Sequence, residues 1–170
     1  PARRSLILVV STHMRIPNKN EVAVWIEDIP ESSRRAANPM VLAGTHHLHL
    51  AYYIHKEPDP DWDGSTVRIV GETTDDLECC LISFIQPRQH SAYDWGDEFL
   101  EGHPLSKIGF EPFALYEIVN PSLAQDSENE TRHFAFMFHD STFECSAKDL
   151  VYSVITGSVS SIIRAAEREC

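Results

Sequence analysis

The stretch HFAFMFHDSTFECSA, residues 133–147, decides the fold prediction. Every second residue on each side of a central turn is apolar: Phe134, Phe136, Phe138, Phe143 and Cys145. Because successive side chains of a strand point to opposite faces, this alternation predicts two strands that turn one face to a core. Asp140-Ser141 supplies the turn, since both residues are good turn formers.

The same pattern continues to the C-terminus. Residues 151–156 predict a third strand of the meander. Gly157-Ser158 then precedes a helix whose apolar stripe has helical spacing. The stripe consists of Val159, Ile162, Ile163 and Ala166. A meander closed by a helix is a common way to cover one face of a sheet.

Further strands are predicted upstream, over residues 5–11, 47–57, 65–73, 77–85 and 114–119. The second and third of these are expected to form a hairpin with each other. The apolar residues Val22, Trp25, Ile26 and Ile29 have helical spacing. They favour a helix capped by Asn20, with a strand over 22–26 as the alternative. Pro30 begins a second predicted short helix, through residue 37.

These elements predict an α+β fold formed by one domain over residues 1–170. Its expected form is a mostly antiparallel, curved sheet. A C-terminal helix packs across this sheet, and one or two short helices lie near the N-terminus. The chain contains no internal repeat and no low-complexity tract that would mark a linker.

Composition excludes several classes of partner. Acidic residues outnumber basic ones, and the formal charge is -12. Such a charge repels phosphate backbones and anionic lipids, so we expect no nucleic acid and no membrane among the partners. The short apolar run at residues 5–11 is expected to be a buried strand instead of a signal peptide. The four cysteines form no disulfide framework, which favours a reducing, cytoplasmic location.

Histidines provide the first candidate site. On a strand, His47 and His49 face the same way and could bind one divalent transition metal, with His139 as a third ligand. If Asp140-Ser141 is a two-residue turn, His139 pairs with Thr142 and Met137 with Glu144. His133, His139 and Glu144 then share the non-aromatic face of the hairpin. His139, Asp140 and Glu144 are then the candidate catalytic groups, working with a metal or as metal-free acids and bases.

The acidic turn DPDWDG, residues 59–64, resembles the first half of a calcium loop. The second half does not match, because Val70 stands where a bidentate glutamate is required and the nearest acid is Glu72. Calcium is therefore a weaker expectation than a transition metal, and a solvated hairpin turn explains the acidic residues.

A long segment without periodicity, residues 87–112, carries the second candidate site. Such segments are often binding loops. Its aromatic residues and one strand residue are the candidate ligand contacts: Tyr93, Trp95, Phe99, Phe110 and Tyr53. Phosphate-binding, nucleophile-elbow and zinc-finger motifs are absent from the sequence. We therefore expect a non-catalytic domain that binds a small apolar ligand or a protein partner, with a small histidine-dependent enzyme as the alternative.

Overall fold

A computed structural model describes residues 16–36, 39–57, 63, 65, 69–120 and 131–169. Within these ranges the chain forms nine strands and one α-helix. The strands are β1 (Val22–Trp25), β2 (Met40–Ala43), β3 (Leu48–Tyr53), β4 (Glu78–Ile85), β5 (Gln89–Tyr93), β6 (Leu115–Val119), β7 (Arg132–Met137), β8 (Thr142–Ala147) and β9 (Asp149–Thr156). The helix α1 spans Val159–Glu169, and two 3-10 helices span Asp97–Gly102 and Pro104–Ile108.

The strands form two sheets, in the orders β1-β6-β7-β8-β5 and β2-β3-β4-β9. Neighbouring strands pair antiparallel throughout. Apolar side chains from both sheets form a shared core, in which the rings of Tyr52 and Phe136 lie 4.9 Å apart. Burial of each such aromatic ring contributes about 1.5–3 kcal/mol of hydrophobic stabilisation. The alternation of apolar and polar residues thus gives each sheet one apolar face, and these two faces pack together.

Two strand pairs connect the sheets at one corner. The chain passes from β4 to β5 through residues 86–88 and from β8 to β9 through Lys148. Backbone hydrogen bonds continue across the corner, with Lys148 donating to the Ile85 carbonyl and Arg88 donating to the Ser146 carbonyl. As a result, β9 leaves the sheet that contains β8 and becomes the outer strand beside β4.

Each sheet also has a cover on its outer face. The apolar stripe of α1, which includes Val159 and Ile162, packs on Ala51 and Tyr53 of β3. The helix begins after Ser158, whose hydroxyl oxygen accepts a hydrogen bond from the Ser161 amide. The second 3-10 helix covers the five-stranded sheet through a cluster of Leu105, Phe110, Tyr116, Ala135 and Met137. Within the described ranges, no helix has the length and apolar character that crossing a membrane requires.

The mostly antiparallel fold with a C-terminal helix is confirmed. The predicted helix near the N-terminus is wrong, because Val22–Trp25 forms β1 and takes its backbone partners from β6. Ile26 and Ile29 lie in the turn that follows, where the Ile29 amide donates to the Ile26 carbonyl. Their helical spacing therefore reflects a strand followed by a turn.

Two other expectations differ from the structure. Residues 31–36 form isolated bridges, Ser32 with Ile54 and Ala36 with Val70, instead of a short helix. The described part of 65–73 does not form a hairpin with β3, whose neighbours are β2 and β4. The expected strand at 5–11 lies outside the described residues. So does the acidic turn at 59–64, except for Asp63, whose carboxylate accepts from the Ser65 amide.

Candidate functional site

The three expected metal ligands are not brought together. Leu48 and Leu50 of β3 face the core, so His49 between them lies on the outer face of the four-stranded sheet. His47 stacks on His49, with ring centroids 5.8 Å apart, and His49 Nδ1 lies 2.8 Å from the Ser83 hydroxyl. His139 lies in the β7–β8 loop of the other sheet. No group of three or more metal-binding side chains occurs within the described residues.

His139 instead forms a pair with Asp97. Its Nδ1 lies 2.9 Å from the Asp97 carboxylate, and its Nε2 lies 3.9 Å from that of Asp140. The hydrogen bond to Asp97 raises the pKa of His139 above its usual value. The backbone fixes this pair, because the Asp97 amide donates to the His139 carbonyl. Gly96 is needed there, since a Cβ atom on it would overlap that carbonyl oxygen. The side chains of His139 and Asp97 are 46% and 24% exposed, so this pair is a surface feature.

Glu144 pairs with His133. The β7–β8 loop contains residues 138–141, so Met137 pairs with Thr142 instead of Glu144. The register differs from the expected one by two residues, which leaves His133 and Glu144 on their expected face. His139 was expected on the same face, but it lies in the loop and pairs with Asp97. His133 Nε2 lies 2.8 Å from the Glu144 carboxylate, which is buried. The structure thus brings together a histidine and a buried carboxylate on the outer face of the five-stranded sheet.

Another histidine, His103, lies near Glu144 and was not among the predicted site residues. It is buried, and its Nδ1 accepts a hydrogen bond from the Leu105 amide. The neutral ring therefore carries its proton on Nε2, which has no hydrogen-bond partner within the described part of the chain. Burial lowers the pKa of His103, while the Glu144 carboxylate acts in the opposite direction. The only sequence signal was its position before Pro104 in an aromatic-rich segment.

His103 is suited to donate a hydrogen bond to a bound molecule and is not suited to bind a metal. Because Nδ1 of His103 accepts from a backbone amide, Nε2 cannot ligate a metal without losing its own proton. A buried N–H without an acceptor is unfavourable, so the position suits a ligand atom that accepts a hydrogen bond. Trp95 and Phe110 contact the ring, with centroids 5.8 Å and 5.5 Å away.

The five candidate ligand contacts are divided between the core and the surface. Phe110 and Tyr53 are buried, and the Tyr53 hydroxyl is bonded to the carbonyls of Gly71 and Thr74. Tyr93 and Trp95 are half-buried, and Phe99 is exposed. Tyr53 also lies under α1, on the sheet opposite the other four. The five residues do not line one common surface.

A cleft lies between His139 and the segment that contains Ser32 and Ser33. Its lining consists of Ser32, Ser33, Ala36, Pro39, Tyr52, Tyr53, Phe138 and His139. The space amounts to about 240 Å³ including the solvent at its mouth, below the roughly 300–1,000 Å³ of typical small-molecule pockets. The cleft is therefore too small for most apolar ligands.

The outer strand β9 presents a different kind of site. It has eight residues, whereas the other outer strands, at the edges of the two sheets, are shorter: β1 and β2 have four residues each and β5 has five. Its apolar side chains are exposed on both faces: Val151 56%, Tyr152 43%, Val154 47% and Ile155 38%. Residues 150–158 include no proline and no charged residue. Natural proteins usually protect outer strands with such residues, so an unprotected strand of this length is unusual.

The backbone of β9 has a defined orientation. The Gly157 amide donates to the Leu77 carbonyl, so odd-numbered residues of β9 direct their polar backbone groups toward β4. Even-numbered residues, including Tyr152, Val154 and Thr156, direct theirs away from the sheet. At the start of the strand, the Leu150 amide already donates to the Asp149 carboxylate. Three consecutive outward positions are therefore available for another strand within the described structure.

Comparison of the chain with protein-family models, curated proteins and solved structures found no match in any of the three.

Proposed function

We propose that this chain is a protein-interaction domain that binds an extended segment of a partner along β9. The observation that carries the proposal is the long outer strand β9, which has no charged residue after Asp149 and whose apolar side chains are exposed on both faces. Strand addition uses main-chain hydrogen bonds for affinity and alternate side chains for specificity. β9 offers both, because the backbone groups of its even-numbered residues point outward and its exposed side chains, such as Val151 and Val154, lie beside the place of an added strand.

The surroundings of β9 also support a rigid docking strand. Arg132 on β7 binds the Glu117 carboxylate through two nitrogens and reaches Asp149 at the start of β9. β9 also pairs with β4 along its full length. A preformed strand loses little conformational freedom on binding, which favours affinity.

Peptide selection tests the proposal. Random 12-residue peptides selected on the full chain should lose at least tenfold in affinity for Val154→Lys, because a charge replaces an apolar contact at the centre of the added strand. Val24→Lys is the matched control, since Val24 is 48% exposed on the outer strand β1 and Val154 is 47% exposed. Peptides that bind Val154→Lys as well as wild type, or that lose equal affinity for Val24→Lys, would contradict the proposal.

A second candidate function is binding or acid–base chemistry at His103, His133 and Glu144. The observation that favours it is the buried His103 Nε2 proton, which finds no acceptor among the described residues and lies near the buried Glu144 carboxylate. A neutral carbonyl compound could accept from Nε2, whereas Glu144 would repel an anion. Titration with acetamide, followed through the ¹⁵N resonance of His103 Nε2, should shift that resonance in wild type. An unchanged resonance up to saturating acetamide would remove this candidate.

A further inference from the structure

We infer that the segment bound by β9 is β9 of a second copy of this chain, paired antiparallel about a twofold axis through Ser153. This inference rests on the proposed function and adds the identity of the partner. A symmetric pair of this kind requires that one strand be complementary to itself. The sequence and the backbone orientation of β9 meet that requirement, and residues 150–158 carry no charge.

The sequence of the strand has the required symmetry. Residues 151–155 read VYSVI, which is two apolar residues, a serine and two apolar residues in either direction. Antiparallel pairing about Ser153 sets Val151 opposite Ile155 and Tyr152 opposite Val154. Aromatic and β-branched residues form favourable cross-strand pairs, each worth roughly 0.2–1 kcal/mol. Every exposed apolar residue of β9 thus acquires an apolar neighbour.

The backbone allows this register. Outward polar groups belong to even-numbered residues, and pairing about Ser153 sets Tyr152 opposite Val154, so outward groups meet outward groups. Tyr152 and Val154 of the two copies would exchange about four hydrogen bonds at the centre of the interface. Ser153 then forms a non-hydrogen-bonded pair with its symmetry mate, at a Cα separation of roughly 4.5 Å.

Charge limits how such a pair forms. Residues 150–158 carry no charge, and Asp149 is bound by Arg132, so the pairing places no like charges opposite each other. The chains as wholes carry a formal charge of -12 each and repel at long range. Salt screens that repulsion over roughly 8 Å at physiological ionic strength. Self-association through β9 should therefore strengthen with added salt, whereas binding of a basic partner should weaken.

Disulfide trapping tests the register. Ser153→Cys, in a Cys170→Ser background, should form a covalent dimer under mild oxidation, because a Cα separation near 4.5 Å lies within the disulfide range. Val151→Cys is the matched control on the same face, since its two copies would lie roughly 13 Å apart along the strands. We expect at least tenfold more dimer from Ser153→Cys. Equal yields from the two variants would overturn the inference.

Sedimentation equilibrium tests the partner itself. The full chain should dimerise with a dissociation constant that falls as salt rises from about 50 to 500 mM. Val154→Lys should raise that constant at least tenfold, and Val24→Lys should leave it unchanged. A wild-type chain that stays monomeric to about 1 mM, or that associates less at high salt, would overturn the inference. If selected peptides still required Val154, the proposed function would stand and only the second copy would be excluded.

Discussion

Replacement of His103 by phenylalanine tests whether its buried Nε2 proton lacks a partner. A buried donor without an acceptor costs about 1–3 kcal/mol, and the phenyl ring removes that donor. The variant also leaves the amide of the buried Leu105 without its Nδ1 acceptor, which costs about 1–3 kcal/mol for the same reason. The phenyl ring keeps contact with Trp95 and Phe110. The two effects oppose each other, so we expect the free energy of unfolding of His103→Phe to lie within about 2 kcal/mol of the wild-type value.

Urea unfolding at pH 8, where the ring is neutral, measures this difference. His103→Asn is the control, because its side chain can still accept from the Leu105 amide but leaves a cavity beside Phe110. It should be less stable than wild type by about 2 kcal/mol or more. Destabilisation of His103→Phe by more than about 2 kcal/mol would refute the reasoning, since it would mean that Nε2 is hydrogen-bonded in solution.

The same variant makes a prediction about pH. Burial lowers the pKa of His103 in the folded chain below the value of about 6.5 that it has when unfolded. Its contribution to stability is therefore complete above pH 6.5 and is lost as pH falls toward the folded-state pKa. The free energy of unfolding of His103→Phe relative to wild type should therefore rise as pH falls below 6.5. A difference that stays constant down to pH 5 would show that the pKa of His103 is not lowered.

Three further predictions concern the surroundings of the sites. Asp97→Asn should lower the pKa of His139 measured by NMR, because it removes the carboxylate that raises it. Since that pKa is raised in the folded chain, wild type should lose up to about 1 kcal/mol of unfolding free energy as pH rises above 6.5. An equal loss in the variant would contradict the pairing. Gly96→Ala should lower the melting temperature, because its Cβ atom would clash with the His139 carbonyl at a cost of about 1–3 kcal/mol. In Gly71→Ala the new Cβ meets no atom, so its melting temperature should equal that of wild type. Equal melting temperatures for the two variants would contradict the close approach at Gly96. Arg132→Lys should cost about 1 kcal/mol in urea unfolding, because a lysine cannot hold a carboxylate with two nitrogens; an unchanged midpoint would show that the bidentate contact contributes little.

Local pairing could be predicted from the sequence. The β7–β8 hairpin was predicted because its alternation and its turn lie within a few residues of each other. The expected register differed by two positions, yet the face shared by His133 and Glu144 was unaffected. Side-chain alternation has a period of two, so an even shift preserves faces. His133 and Glu144 were therefore correctly predicted to share a face, although the predicted length of the turn was wrong.

Long-range pairing could not be predicted in the same way. β9 was expected to complete a meander with β8, but the corner at Lys148 carries it to β4, about seventy residues earlier in the chain. Among the described residues, β9 has β4 as its one neighbouring strand, so the exposure of Val154 depends on topology and not on its own segment. The burial of His103 likewise depends on how residues 94–112 fold over the sheet. Apolar spacing at 22–29 fitted both a helix and a strand followed by a turn, and pairing with β6 decided between them.

Residue-resolved amide exchange of β9 in dilute solution tests the central claim most directly. The amides of Tyr152, Val154 and Thr156 should exchange rapidly, because they point away from the sheet. Those of Val151, Ser153 and Ile155 should be protected by β4. Raising the protein concentration should then slow exchange at Tyr152 and Val154. Strong protection of these outward amides in the dilute monomer would mean that another part of the chain already covers β9, and would contradict the account.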